Sequence, residues 1–189
     1  MPVTTLDPLT ALILVDLQKG IVSRPSAQPI GEVVGRSAEL AAAFRHRRLP
    51  VVLVNVAGGA PGRNEQTRTP AGGQRPADWT DFAPELDQHP DDHVVTKWTW
   101  GAFTNTGLGE HLKSLGVTQV VVAGIATSIG VESTARQAHE LGLNVTLAVD
   151  AMLDPSPDAH ANSVGRIFPR LGETGTTEAI IALLNKSQE

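Results

Sequence analysis

The chain has no cysteine in its 189 residues. That excludes disulfides, zinc–thiolate centres and thiol nucleophiles. It also lacks long apolar runs. Those present are short strand-like pieces, far below the roughly 20 residues of a helical membrane span. Met1 to Leu9 shows no basic segment followed by an apolar core, so no signal peptide and a cytoplasmic location are expected. Basic residues are in deficit, 15 against 20 acidic, for a net charge of −5. Neither nucleic acid nor an anionic membrane is therefore expected as partner. Gly35, Gly58, Gly59 and Gly62 do not form a phosphate-binding fingerprint, and no cofactor is expected. Repeats are absent, and nothing marks a second domain within 1–189.

What is present suits one folded α/β domain. Apolar residues make up 41%, enough for a substantial core at this length. Four unalternating aliphatic runs read as strands covered on both faces: Ala11–Val15, Val51–Val56, Gln119–Ala123 and Asn144–Val149. A weaker run covers His93–Thr96. Helical spacing lies between them: Gly31–Arg47, Leu108–Leu115 stopped by Gly116, and Val131–Leu141 stopped by Gly142. Ala161, Val164, Phe168 and Leu171 predict another helix, and Thr176 or Thr177 is placed to cap a last one. Alternating strands and helices imply a three-layer αβα fold with a central, mostly parallel sheet. Ligands of such sheets bind beyond the C-terminal strand ends. From Ala57 to about Pro84 a Gly-, Pro- and Arg-rich stretch breaks the rhythm, as functional loops and interfaces do.

Three elements at those strand ends can carry chemistry. Asp16 directly follows the first apolar run, where partial burial raises a carboxylic pKa; a structural, hydrogen-bonded Asp is the plainer alternative. Lys97 follows the weaker run and can pair with Asp16 or stabilise substrate charge; a solvated strand end is its alternative. Gly124–Glu132 leaves a buried strand and enters a helix, whose unpaired N–H groups form an anion cradle or merely an ordinary capped turn.

Taken together, three stretches resemble the isochorismatase-like hydrolases. They are Leu14-Val-Asp-Leu-Gln18, Lys97-Trp-Thr-Trp-Gly-Ala-Phe-Thr-Asn-Thr-Gly-Leu108, and Val122-Ala-Gly-Ile-Ala-Thr-Ser-Ile-Gly-Val-Glu-Ser-Thr-Ala-Arg136. Asp150, the Asp154–Asp158 loop and Thr176-Thr-Glu178 extend the likeness over nearly the whole chain. The resemblance implies Asp16 and Lys97 as catalytic residues and Gly130 at the position of the family's cysteine nucleophile. It also implies a cis peptide at Ile125–Ala126 and oxyanion donors at the N–H groups of Ala126 and Gly130. Ile21, Trp98, Trp100 and Thr127 fall at substrate-binding positions, although core packing or a subunit interface explains the tryptophans equally well.

Gly130 cannot form a thioester, so cysteine-dependent amide hydrolysis is not expected. Thr127 and Ser128 lie close by, but the sequence points to no histidine base for either. The vinyl-ether branch of the family needs no thiol, and there Asp16 acts as general acid on a small carboxylated substrate. Two departures stand out. The Gln that similar isochorismatases carry after the second strand is missing from Asn55-Val-Ala-Gly-Gly59. The Asp/His metal cluster of nicotinamidases has no counterpart in the Asn55–Arg75 stretch, so no metal is expected. Arg63, Arg68 and Arg75 are candidate cations for a carboxylate. The resemblance implies a homo-oligomer. A small-molecule-binding homologue that has lost catalysis is the other reading.

Overall fold

The computed structural model describes residues 2–23, 29–60, 62–65 and 75–186. Six parallel strands form one sheet in the order β3-β2-β1-β4-β5-β6: β1 Thr10–Val15, β2 Val51–Val56, β3 His93–Lys97, β4 Gln119–Ile125, β5 Asn144–Leu153 and β6 Glu173–Gly175. The helices are α1 Lys19–Val22, α2 Ile30–His46, α3 Leu108–Ser114, α4 Glu132–Glu140, α5 Pro157–Asn162, α6 Phe168–Leu171 and α7 Thr177–Lys186.

Side-chain alternation explains why the strands look uniformly apolar. Along β1, Leu12 and Leu14 pack with Leu40 and Phe44 of α2 and Ile180 of α7. Ala11, Ile13 and Val15 face the other way, onto Leu108 and Leu112 of α3 and Ala135 and Ala138 of α4. Both faces are covered by helices, so from Ala11 to Val15 every position is apolar. The chain lays β1, β2 and β3 outward to one side, then returns to place β4 beside β1. The strand order therefore reverses between β1 and β4. In open α/β sheets that reversal opens a crevice at the C-terminal strand ends.

Four expectations change in detail. The sheet is wholly parallel. β5 runs on through Asp150 to Leu153, across a register shift opposite Val122 and Gly124 of β4. The strand β6 was not anticipated, because its three residues carry no apolar signal. The single helix read over Ala161–Leu171 is interrupted. α5 ends at Asn162, a π turn spans Ser163–Ile167, and α6 restarts with Pro169 in its first turn, where a missing N–H costs least.

Candidate active site

Asp16 leaves β1 in the left-handed region, with φ at 56°. Its N–H still donates to the Val54 carbonyl at 2.8 Å, so the strand ladder holds the residue while its side chain turns out of strand alternation. A non-glycine residue there costs on the order of 1 kcal/mol or more, although Asp tolerates it better than most. Lys97 ends β3. Its Nζ donates to Asp16 Oδ2 at 2.8 Å and to the Thr99 carbonyl at 3.2 Å. The lysine side chain is only 2% exposed and the aspartate 8%. Asp16 Oδ1 is buried and has no partner among the described residues. Burial lifts the Asp16 carboxyl from 3.8 to about 6, and the Lys97 charge and hydrogen bond oppose that rise. One oxygen is thus held by a cation and the other is left uncommitted, on a carboxyl that titrates near neutrality.

β4 brings the third element. Gly124 has φ at 125°, and a side chain there would collide with the Val15 carbonyl, so only glycine lets β4 pass β1 at this point. The Ile125–Ala126 peptide is cis. Next comes a π turn over Thr127–Val131, which runs into α4. The Ala126 carbonyl accepts from the N–H groups of Ile129 and Val131 and passes over that of Gly130 between them. A Cβ at Gly130 would stand 3.0 Å from Val15 Cγ1 and 3.2 Å from Asp16 Oδ2. Gly130, which the sequence resemblance assigns to the nucleophile position, therefore lies directly beside the Asp16 carboxyl.

The surrounding loops are pinned by side chains. Gln18, fully buried, accepts from the Val56 N–H at 2.6 Å and donates to the carbonyls of Val56 and Trp79. The Ala57 N–H then donates to the Lys97 carbonyl, which fixes the exits of β2 and β3 together. Trp98 and Trp100 are each 63% exposed, and the Trp98 ring lies against Gly58. Ile21 is partly buried against the core layer under α2. Arg75 stacks on the Trp79 ring and donates to the Ala57 carbonyl, Arg63 is exposed, and Arg68 lies outside the described residues. Among the described residues no group of three or more His, Asp or Glu side chains is arranged to hold a metal. A cavity of about 620 Å³ lies at the other end of the sheet, around Val51 and His93. That cavity is therefore not where the buried charges of Asp16 and Lys97 converge.

One expectation is corrected here. Thr127 does have a histidine: its Oγ1 lies 2.9 Å from His160 Nδ1. Ser128 is engaged as well, its N–H and O–H both donating to Asp154 Oδ2 at 2.7 Å. Sequence reasoning gave no role to Gln18, Asp154 or His160. Asp154 sits in a Pro-rich loop, and that loop was the only signal available.

Comparison with known proteins gives the family. The isochorismatase domain model matches residues 10–179. This chain belongs to the isochorismatase family. It is a hydrolase of that family. It is 44% identical over 177 residues to the isochorismatase family protein YwoC of Bacillus subtilis, covering 91% of this chain and 92% of that one. A solved isochorismatase family protein from Burkholderia thailandensis is 43% identical with a TM-score of 0.89, covering 96% of this chain and 98% of that one. The streptothricin hydrolase of Streptomyces noursei is 36% identical over 143 residues, covering 75% of this chain and 48% of its own length. No described helix is long and apolar enough to cross a membrane.

Proposed function

We propose that the protein hydrolyses a small carboxylated vinyl ether by acid catalysis from Asp16, without a covalent intermediate. The observation that carries this reading is a carboxyl lifted to about 6, with one oxygen uncommitted, beside a position that has no nucleophile. A raised acid is suited to giving up a proton near neutrality.

Asp16 gives its proton to the terminal carbon of the enol ether. The double-bond electrons form the new C–H bond, and the ether carbon becomes an oxocarbenium. Water adds there and loses a proton, which returns to Asp16. The hemiketal hydroxyl then gives its proton to the departing ether oxygen, the C–O bond to that oxygen breaks, and the alcohol and pyruvate are released. Lys97 keeps the aspartate oriented and offsets the negative charge left on it. In this reading the N–H groups of Ala126 and Gly130 receive a substrate carboxylate or the hemiketal oxygen. Trp98, Trp100 and Ile21 contribute apolar surface around the entrance, and Thr127 belongs to the wall formed by the turn.

Isochorismate, chorismate and a panel of small amides, assayed for pyruvate or ammonia release, test the reading. Pyruvate from a vinyl ether, lost in D16N, is the expected result. Ammonia release from amides, or pyruvate release that D16N leaves unchanged, overturns it.

A further inference from the structure

The cradle beside Asp16 is a single π turn, and no side chain within the turn caps it. Yet its N–H groups must be held to within about 0.5 Å of a productive position to act on a substrate. On one side its supports come from a distant stretch of chain, residues 154–163. Asp154 is 4% exposed. Its Oδ2 accepts from both the N–H and the O–H of Ser128, and its Oδ1 accepts from the Ser156 N–H at 2.9 Å. His160 on α5 meets Thr127, which is fully buried, at 2.9 Å. Ser163 donates to Glu132 Oε2 at 2.6 Å, at the first residue of α4. On the opposite side Thr134 ties the Gly130 carbonyl to the Ala102 N–H, in the loop that follows Lys97.

These contacts divide the turn's donors in a specific way. Ser128 N–H is spent on Asp154. Ile129 and Val131 N–H are spent on the Ala126 carbonyl. The Ala126 carbonyl does not take the Gly130 N–H, and a Cβ built on that residue would stand 3.2 Å from Asp16 Oδ2. Asp154 is also a buried carboxylate at the start of a helical segment, where charge-assisted bonds are strong and the helix dipole favours an anion.

We infer that Asp154 and His160 are positioning residues: the 154–163 segment clamps the turn so that the Gly130 N–H, and not a neighbour, faces the reacting centre. This rests on the reading of the turn as an anion cradle for Asp16 chemistry. A buried carboxylate with three donors has no replacement in asparagine, which accepts at one oxygen only. D154N must therefore release either Ser128 or Ser156.

The test compares D154N, H160A and the milder S128A and H160Q with the unaltered enzyme, each with its melting temperature recorded. On isochorismate, D154N and H160A are expected to lower kcat about tenfold or more with KM little changed, as misplacement of a reacting group does. H160Q, which keeps a hydrogen-bonding group, restores most of the rate. A readout independent of the substrate uses G130C as background, with iodoacetamide as probe. The thiol introduced beside Asp16 reports local geometry through its alkylation rate. Clamp variants change that rate by about threefold or more, while D92N, which loosens a remote ion pair, leaves it unchanged. Altered alkylation with no turnover of isochorismate by the unaltered enzyme supports the clamp and removes the vinyl-ether reading. Unchanged alkylation in S128A, D154N and H160A, or kcat losses no larger than that of D92N, overturns the clamp.

Discussion

Two buried ion pairs stand at opposite ends of the same sheet, and they are built differently. At the N-terminal end Arg45 grips Asp92 with two bonds of 3.0 and 2.7 Å, and donates twice more to the Leu86 carbonyl. Asp92 also accepts from the His89 N–H. Both of its oxygens are satisfied, and its side chain is 2% exposed. At the C-terminal end Lys97 meets Asp16 with a single bond, Asp16 Oδ1 has no partner among the described residues, and the backbone beneath it is left-handed. Burying a charge is tolerated when its hydrogen bonds are complete and is costly when they are not. The first pair therefore serves the fold. The second keeps a shortfall that a substrate can fill, which is how functional sites depart from the packing rules around them.

Crossed substitutions are the sharpest way to break that contrast. D16N is expected to lower turnover by about three orders of magnitude, the upper range for a lost general acid. D92N leaves turnover per folded molecule unchanged. Apolar replacement of whole pairs inverts the ranking. R45M/D92L strands the Leu86 carbonyl and the His89 N–H, and should cost about 2–3 kcal/mol in denaturant unfolding. D16L/K97M removes an incomplete pair and should be neutral or stabilising, since buried ion pairs often add little net stability. Equal stability losses from the two double variants would show that both pairs are structural.

The strands themselves were more legible than the bonds at either end of the sheet. β1, β2, β4 and most of β5 announce themselves because apolar side chains are needed on both faces. β3 reads weakly because it is an edge strand, with only Val95 and Lys97 buried. Asp16, Lys97 and Gly130 were singled out as candidates because they lie at or beyond strand ends and because the three motifs resemble a family. The bonds that hold them were not. Ser128 to Asp154 spans 26 residues and Thr127 to His160 spans 33, and single polar residues in a loop carry no periodicity. The π turn was equally hidden: its residues simply extend the helical pattern of α4 by one turn.

The pH dependence sharpens the same contrast with a smaller effect. Asp16 titrates at about 6 in the fold against 3.8 unperturbed. If the protonated form reacts, kcat/KM is flat at low pH and falls about tenfold per unit above that value. Stability shifts the same way. The folded state holds this proton more tightly than the unfolded one. Asp16 therefore weakens the fold progressively from 3.8 to about 6, and by a constant amount above that. K97M removes the influence that lowers the Asp16 pKa, so the falling limb should move to higher pH. A limb that stays in place, or one that survives in D16N, assigns the titration to another group.

The smallest effect belongs to Gly130. The residue is not in the left-handed region, so alanine meets no backbone penalty there. Its methyl would sit 3.0 Å from Val15 Cγ1, tight by a few tenths of an ångström, and 3.2 Å from Asp16 Oδ2. Loss of chain entropy in the unfolded state offsets that crowding by about 0.4–1 kcal/mol, so the melting temperature of G130A should hardly move. Activity should respond more than stability, with kcat/KM falling about threefold to tenfold, because the methyl occupies space beside the reacting carboxyl. If G130A changes the melting temperature and leaves kcat/KM alone, the gap beside Asp16 is a packing feature and the missing side chain has no part in catalysis. If kcat/KM falls at constant stability, the gap itself is what the substrate or its water uses, and the absent cysteine marks a site adapted to chemistry without a nucleophile.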